Sequence, residues 1–70
     1  MQDTKIIGKV KWFHAKKGYG FLIGPNQEDV FVHFMFVEME GYKSLNKGQD
    51  VEYKLVLTDR GPQAHEVVPL

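Results

Sequence analysis

Turn signals recur so often along this chain that no stretch is left for a long helix. They stand at Lys16-Lys17-Gly18, Gly24-Pro25-Asn26, Gly41, Asn46-Lys47-Gly48 and Asp59-Arg60-Gly61-Pro62. Glycine supplies backbone angles closed to other residues, and proline presets φ and withholds a donor, so each cluster punctuates the chain. Between them lie runs rich in Val, Ile, Phe and Tyr, the residue types that pack best on a pleated surface. Strands are expected at about 5–14, 18–23, 29–34, 50–58 and 63–69. Five short strands without a clear helix imply an all-β fold, a small barrel or sandwich. Residues 35–49 form the longest connection. Met35 to Met39 has room for one helical turn before Gly41, too short to stand alone.

The chain has 70 residues, which fits a single domain over 1–70 with a thin core, burying about 60% of its unfolded surface. With no cysteine, neither a disulfide framework nor a zinc–thiolate site holds it. The three histidines, at 14, 33 and 65, lack close ligand spacing, so no metal or other cofactor is expected. No apolar stretch approaches the ~20 residues of a membrane-spanning helix. Met1-Gln2-Asp3-Thr4-Lys5 shows no apolar signal region, and position 2 offers no lipidation site. The expectation is a cytoplasmic protein without a membrane partner. Hydrophobic content of 43% and charged content of 26% suit a folded chain. Aromatic residues make up 13%, from five Phe, three Tyr and one Trp, and so small a core does not obviously need nine rings.

Parity along the strands says where some of those rings go, because side chains alternate faces with period two. In Tyr19-Gly20-Phe21-Leu22 the odd positions are aromatic and the even ones are Gly and Leu. In Val30-Phe31-Val32-His33 the even positions are Val and the odd ones Phe and His. The five-residue link Gly-Pro-Asn-Gln-Glu between them suits an antiparallel hairpin. Paired in register, Tyr19, Phe21, Phe31 and His33 share one face and the aliphatic residues the other. Val30, Val32 and Leu22 have the shapes that fill a narrow barrel, and Gly20 suits a crowded, curved position. The rings would then form a large exposed patch, which on a small protein usually marks a binding site. Alternation alone leaves the reverse open, with rings inside or both faces covered.

Charge separates the two. The formal net charge is +0, but residues 1–20 carry five Lys against Asp3, a net of +4, and residues 21–40 carry four acids and no Lys or Arg, a net of −4. A neutral total thus hides a basic first hairpin. Lys11 and Lys17 flank the expected ring cluster, with Lys9 and Lys16 beside them. Rings interleaved with cations are what an unpaired nucleic-acid strand requires: bases stack on the rings and cations track the phosphates. A duplex hides its bases from such rings. The alternative from another class is a β-barrel module whose aromatic patch docks a protein.

Lys11-Trp12-Phe13, Lys17-Gly18-Tyr19-Gly20-Phe21-Leu22 and Val30-Phe31-Val32-His33-Phe34 resemble the cold-shock domain family, the second and third of these its two RNA-binding motifs. Gly41-Tyr42-Lys43-Ser44-Leu45 and Arg60-Gly61-Pro62-Gln63-Ala64 fit the same pattern. Order and spacing match from about Ile7 to Val67. The resemblance implies a five-stranded antiparallel OB-type β-barrel. It implies stacking roles for Trp12, Tyr19, Phe21, Phe31, His33, Phe34 and Tyr42, and phosphate or base contacts for Lys11, Lys17, Asp29 and Arg60. Members of the family bind single-stranded RNA and DNA, commonly with a preference for pyrimidine-rich runs, and many act as RNA chaperones, some in the cold. Strict alternation from Val10 would turn Trp12 inward, whereas the family places both Lys11 and Trp12 toward the ligand. A bulge or sharp coil near residues 11–13 would reconcile the two.

The chain also departs from the family pattern. His14 stands where Asn is usual, leaving a turn role or an extra stacking group open. Met35-Phe36 replaces a pair of small residues. It either fills the core or makes a larger apolar rim that stacks a base or self-associates, so a monomer is favoured with a dimer left open. Tyr19 and Tyr42 keep the ring of the more usual Phe and add a hydroxyl. His65 reads as a surface residue, and Arg60 at a loop tip as solvated or contacting nucleic acid. No catalytic pattern stands. Ile23 occupies the place of the third glycine after Gly18-Tyr19-Gly20, no G-x-S-x-G or H-E-x-x-H string occurs, and Ser44 is the only serine. An enzyme is not expected.

Overall fold

The computed structural model describes residues 5–39, 41 and 44–70. Five strands follow in order: β1 (Lys5–His14), β2 (Tyr19–Ile23), β3 (Asp29–His33), β4 (Asp50–Thr58) and β5 (Gly61–Pro69), with a single 3-10 turn at Phe34–Phe36 after β3. They close into a barrel in the spatial order β1-β2-β3-β5-β4. The expected barrel is therefore found, and four of its seams are antiparallel. The seam between β3 and β5 is parallel, with Phe31 opposite Gln63 and Val32 opposite Ala64. One such seam is required on elementary grounds. A closed ring with an odd number of strands cannot alternate direction all the way round, so one seam must be parallel.

The interior is aliphatic with one exception. Val10, Leu22, Val30, Val32, Val37, Leu45, Val51, Tyr53, Ala64 and Val67 are all buried. Two β-bulges shift the inward phase. Val10 pairs with Leu22, but Trp12 pairs with Phe21, leaving Lys11 as the extra residue of β1. The inward position after Val10 is consequently Phe13, which packs against the core, while Trp12 turns outward. This is the irregularity needed to reconcile alternation with an outward Trp12. In the β4–β5 seam the register shifts between Glu52 and Lys54, and Glu66 opposite has φ 51°. Ala64 and Val67 both point inward as a result, so His65 and Glu66 lie outside the core cluster.

The connection from β3 to β4 contributes Val37 and Leu45 to the core. Met35 to Met39 is not one helical turn: only Phe34–Phe36 is helical, and Val37 is extended. The turn is stopped because Val37 is buried and bridges to Val67 as a short parallel pair. The N–H of Glu38 donates to the Val67 carbonyl at 2.7 Å. Leu45 is buried in the same core cluster.

Tyr53 is the exception in the core. It is the largest fully buried side chain, and its hydroxyl finds no hydrogen-bond partner among the described residues. An unsatisfied buried hydroxyl costs about 1–3 kcal/mol. Burial, with Glu28 adding, raises its pKa above the ordinary value of 10.0. Its neutral form is thus the stable one, and this contribution is fully present below pH 10 and fades as pH climbs from there through the folded-state pKa. Tyr53→Phe is expected to raise the free energy of unfolding at neutral pH by about 1 kcal/mol, and the gap to the parent should widen in alkaline denaturation. Lys5, whose pKa is raised by its hydrogen bond to Glu66, falls in the same window in both proteins, so the comparison isolates Tyr53. A variant that is less stable at neutral pH, as judged by urea unfolding, would contradict this.

Candidate nucleic-acid interface

The hairpin of β2 and β3 pairs Tyr19 with His33, Gly20 with Val32, Phe21 with Phe31 and Leu22 with Val30. Alternation then does the sorting. Leu22, Val30 and Val32 are fully buried, and Tyr19, Phe21, Phe31 and His33 sit half-buried on the opposite face. The bulge at Lys11 adds Trp12 to them, 40% exposed. The ring centroids form a connected set: Trp12–Phe21 at 5.4 Å, Trp12–Tyr19 at 6.0 Å, Phe21–Phe31 at 5.6 Å and Tyr19–Phe31 at 6.0 Å. Their mutual tilts of 30–74° are those of edge-to-face and offset packing. Such pairs hold each other upright and leave outer edges and faces open.

Phe34 continues the face beyond His33, with ring centroids 4.8 Å apart, and is 41% exposed. Two features seat it. Its N–H donates to the Gly18 carbonyl at 2.8 Å. Gly18 has φ +78°, and a β-carbon there would lie 2.7 Å from Phe34 Cδ1, so the ring occupies the space a side chain would take. The turn carrying Gly18 is braced by His14. Its carbonyl accepts from the Gly18 N–H at 2.8 Å, and its Nδ1 accepts from the Lys17 N–H at 3.4 Å. The turn role left open for His14 is therefore found. It works through the side chain rather than through a positive φ, which among non-glycine described residues belongs to Gln27 and Glu66 alone.

Charged residues lie around the rings. Lys11, pushed out by the bulge, meets Asp29 at the start of β3, with Nζ 3.0 and 3.2 Å from the two carboxylate oxygens. Both side chains are about half exposed, so the pair is worth little to stability and either group is readily released to another partner. Lys16 and Lys17 are exposed and form no ion pair among the described residues. Lys5 and Lys9 are instead engaged by Glu66 at 2.9 Å and Asp50 at 2.6 Å, which trims the basic character of the first strand. Arg60 lies in the β4–β5 turn. Thr58 Oγ1 holds this turn by accepting from the Arg60 N–H at 3.1 Å and donating to the Gly61 carbonyl at 2.8 Å.

Phe21, Asp29, Phe31, Arg60, Pro62 and Gln63 together line an open groove of about 220 Å³. Its lining combines two phenyl rings with a carboxylate, an amide and a guanidinium. Apolar rings beside the acceptors of Asp29 and Gln63 and the donors of Gln63 and Arg60 suit a planar heterocycle with polar edges. The sequence alone does not single out Gln63. The signal was there in part, because Ala64 points inward and its neighbour must point out, but placing it beside Phe31 required the parallel seam. Trp12, Tyr19, Phe21, Phe31, His33 and Phe34 share one face, with Lys11, Asp29 and Arg60 at its margin. Lys17 lies in the turn that seats Phe34. Tyr42 lies outside the described residues. No group of three or more potential metal ligands occurs among the described residues.

The family described as "'Cold-shock' DNA-binding domain" matches residues 6–70. A cold shock protein CspA of Staphylococcus saprophyticus is 57% identical over 63 residues, covering 90% of this chain and 96% of the relative. Its counterpart in Staphylococcus aureus is 56% identical over the same shares. Among solved structures, Drosophila Unr CSD456 superposes with a TM-score of 0.79 at 22% identity, over 97% of this chain and 27% of that one. That similarity concerns the barrel alone. With the family match spanning all five strands, and relatives this similar over nearly their whole length, the chain belongs to the cold-shock domain family.

Proposed function

We propose that the chain binds unpaired RNA or DNA by stacking successive bases on Trp12, Tyr19, Phe21, Phe31, His33 and Phe34. Lys11, Lys17 and Arg60 meet the phosphates, and Asp29 accepts from a base edge once it leaves Lys11. Tyr42 is assigned a stacking role on the family pattern alone. The observation that carries this reading is the outward, in-register ring set of the β2–β3 hairpin, joined through the bulge to Trp12. Every base has a π-face, so such a platform tolerates many sequences, at about 1–3 kcal/mol per base. Pyrimidine-rich runs are the preferred ligand, and the protein acts as a monomeric RNA chaperone in the cytoplasm. Holding the unpaired state shifts a hairpin equilibrium toward it by mass action, without catalysis, metal or ATP.

The salt dependence of binding tests the electrostatic half of this mechanism. Affinity for an oligothymidylate should fall with a slope of about −0.7 in log K per log salt for each phosphate neutralised on a single strand. Three engaged cations then give a slope near −2. A slope close to zero would remove Lys11, Lys17 and Arg60 from the mechanism. It would also favour a patch that docks a protein surface.

A further inference from the structure

Met35 and Phe36 do not fill the core. They are 69% and 36% exposed, and the 3-10 turn that carries them contributes no buried residue. Phe36 is nonetheless held in a defined pose. Its ring lies flat on the imidazole of His65, with centroids 3.9 Å apart and planes 9° from parallel. The ring pairs of the main face are all tilted or edge-on. His65 in turn has Nε2 3.3 Å from Gln63 Oε1.

This stacked pair is continuous with the ring face along two routes. Along the chain, β3 leads from Phe31 through His33 to Phe34 and on to Phe36 in the same turn. Across the parallel seam, Gln63 lies opposite Phe31, and His65 follows two residues later on β5. The bulge at Glu66 breaks the alternation that would otherwise follow Ala64. A phenyl ring backed on one side by a second flat group keeps its other side for a ligand. Its rotamer is already fixed, so little side-chain entropy remains to be lost on stacking.

We infer that Phe36, backed by His65, is a further stacking platform for one base of the same unpaired strand, beyond His33 and Phe34. The inference rests on the single-strand reading above. His65 is a positioning residue that keeps the phenyl ring flat, and Gln63 steadies it.

Oligothymidylates of increasing length test this directly. Phe36→Ala should bind the longest about tenfold more weakly than the parent, the loss expected for one base on one ring, and the shortest that still binds with unchanged affinity. Phe36→Tyr should retain the parent's length dependence. His65→Ala should lose part of the gain with length, and His65→Phe, which restores a flat backing group, should recover it. Equal affinities of Phe36→Ala and the parent at every length would overturn the inference and leave the single-strand reading standing. Absence of parent binding at any length would overturn both. Light scattering that shows a parental dimer split by Phe36→Ala would assign the surface to a second copy of the chain and overturn it as well.

Discussion

Phe31→Ala should weaken binding of an oligothymidylate by about 1–3 kcal/mol, or roughly 5- to 150-fold, while costing no more than about 1 kcal/mol of folding stability. Phe31 sits at the middle of the ring set, in contact with both Tyr19 and Phe21, and also lines the groove with Asp29 and Arg60. Its half-buried ring supports neighbours but fills none of the barrel interior. The adjacent residue gives the reciprocal experiment. Val32 is fully buried and pairs with Gly20, so Val32→Ala should cost about 2 kcal/mol of stability and leave the affinity of the folded protein nearly unchanged. Urea denaturation and fluorescence titration on the two variants separate the faces of one strand. A Phe31→Ala variant with lost stability and intact affinity would show that the ring belongs to the core.

Gly20→Ala should lower the stability by about 3 kcal/mol or more, the upper end of overpacking costs. A β-carbon at Gly20 would run into the Trp12 carbonyl oxygen, 2.7 Å from Phe13 Cα and 3.0 Å from Phe13 Cδ1. Two of these are backbone atoms of the strand that pairs with it, so no side chain can swing away to relieve the clash. The position is crowded because the bulge brings β1 across β2 here, with Phe13 opposite Gly20. For a domain of this size 1 kcal/mol moves the melting temperature by about 4–8 °C, so a fall of about 12 °C or more is expected in a thermal melt. The consequence reaches the site, since the same crossing holds Trp12 against Tyr19 and Phe21. A melting temperature within a few degrees of the parent would mean that β1 and β2 separate here at little cost.

Much of this arrangement is legible in the sequence, because it is written in period two. Tyr19 to Leu22 and Val30 to His33 announce an aromatic and an aliphatic face, and the five-residue link between them sets their register. What alternation cannot show is where its own phase slips. The bulge at Lys11 was needed to reconcile Trp12 with Val10, but the equivalent slip at Glu66 leaves no comparable conflict in the sequence. His65 consequently reads there as an ordinary surface residue. Non-local pairing was the other gap. Gln63 beside Phe31 and His65 under Phe36 depend on how β5 returns along β3, which no local pattern encodes. Tyr53 shows a third limit: alternation places it inward, but only the packed barrel leaves its hydroxyl without a partner among the described residues.

On the proposed mechanism, outward rings grip bases which a duplex keeps hidden. Trp12 reports on it, being the only tryptophan of the chain and part of the ring set. Its fluorescence should be quenched to saturation by a single-stranded pyrimidine-rich oligonucleotide, and much less by the same strand annealed to its complement at equal phosphate concentration. Equal quenching by strand and duplex, or none by either, would contradict the account.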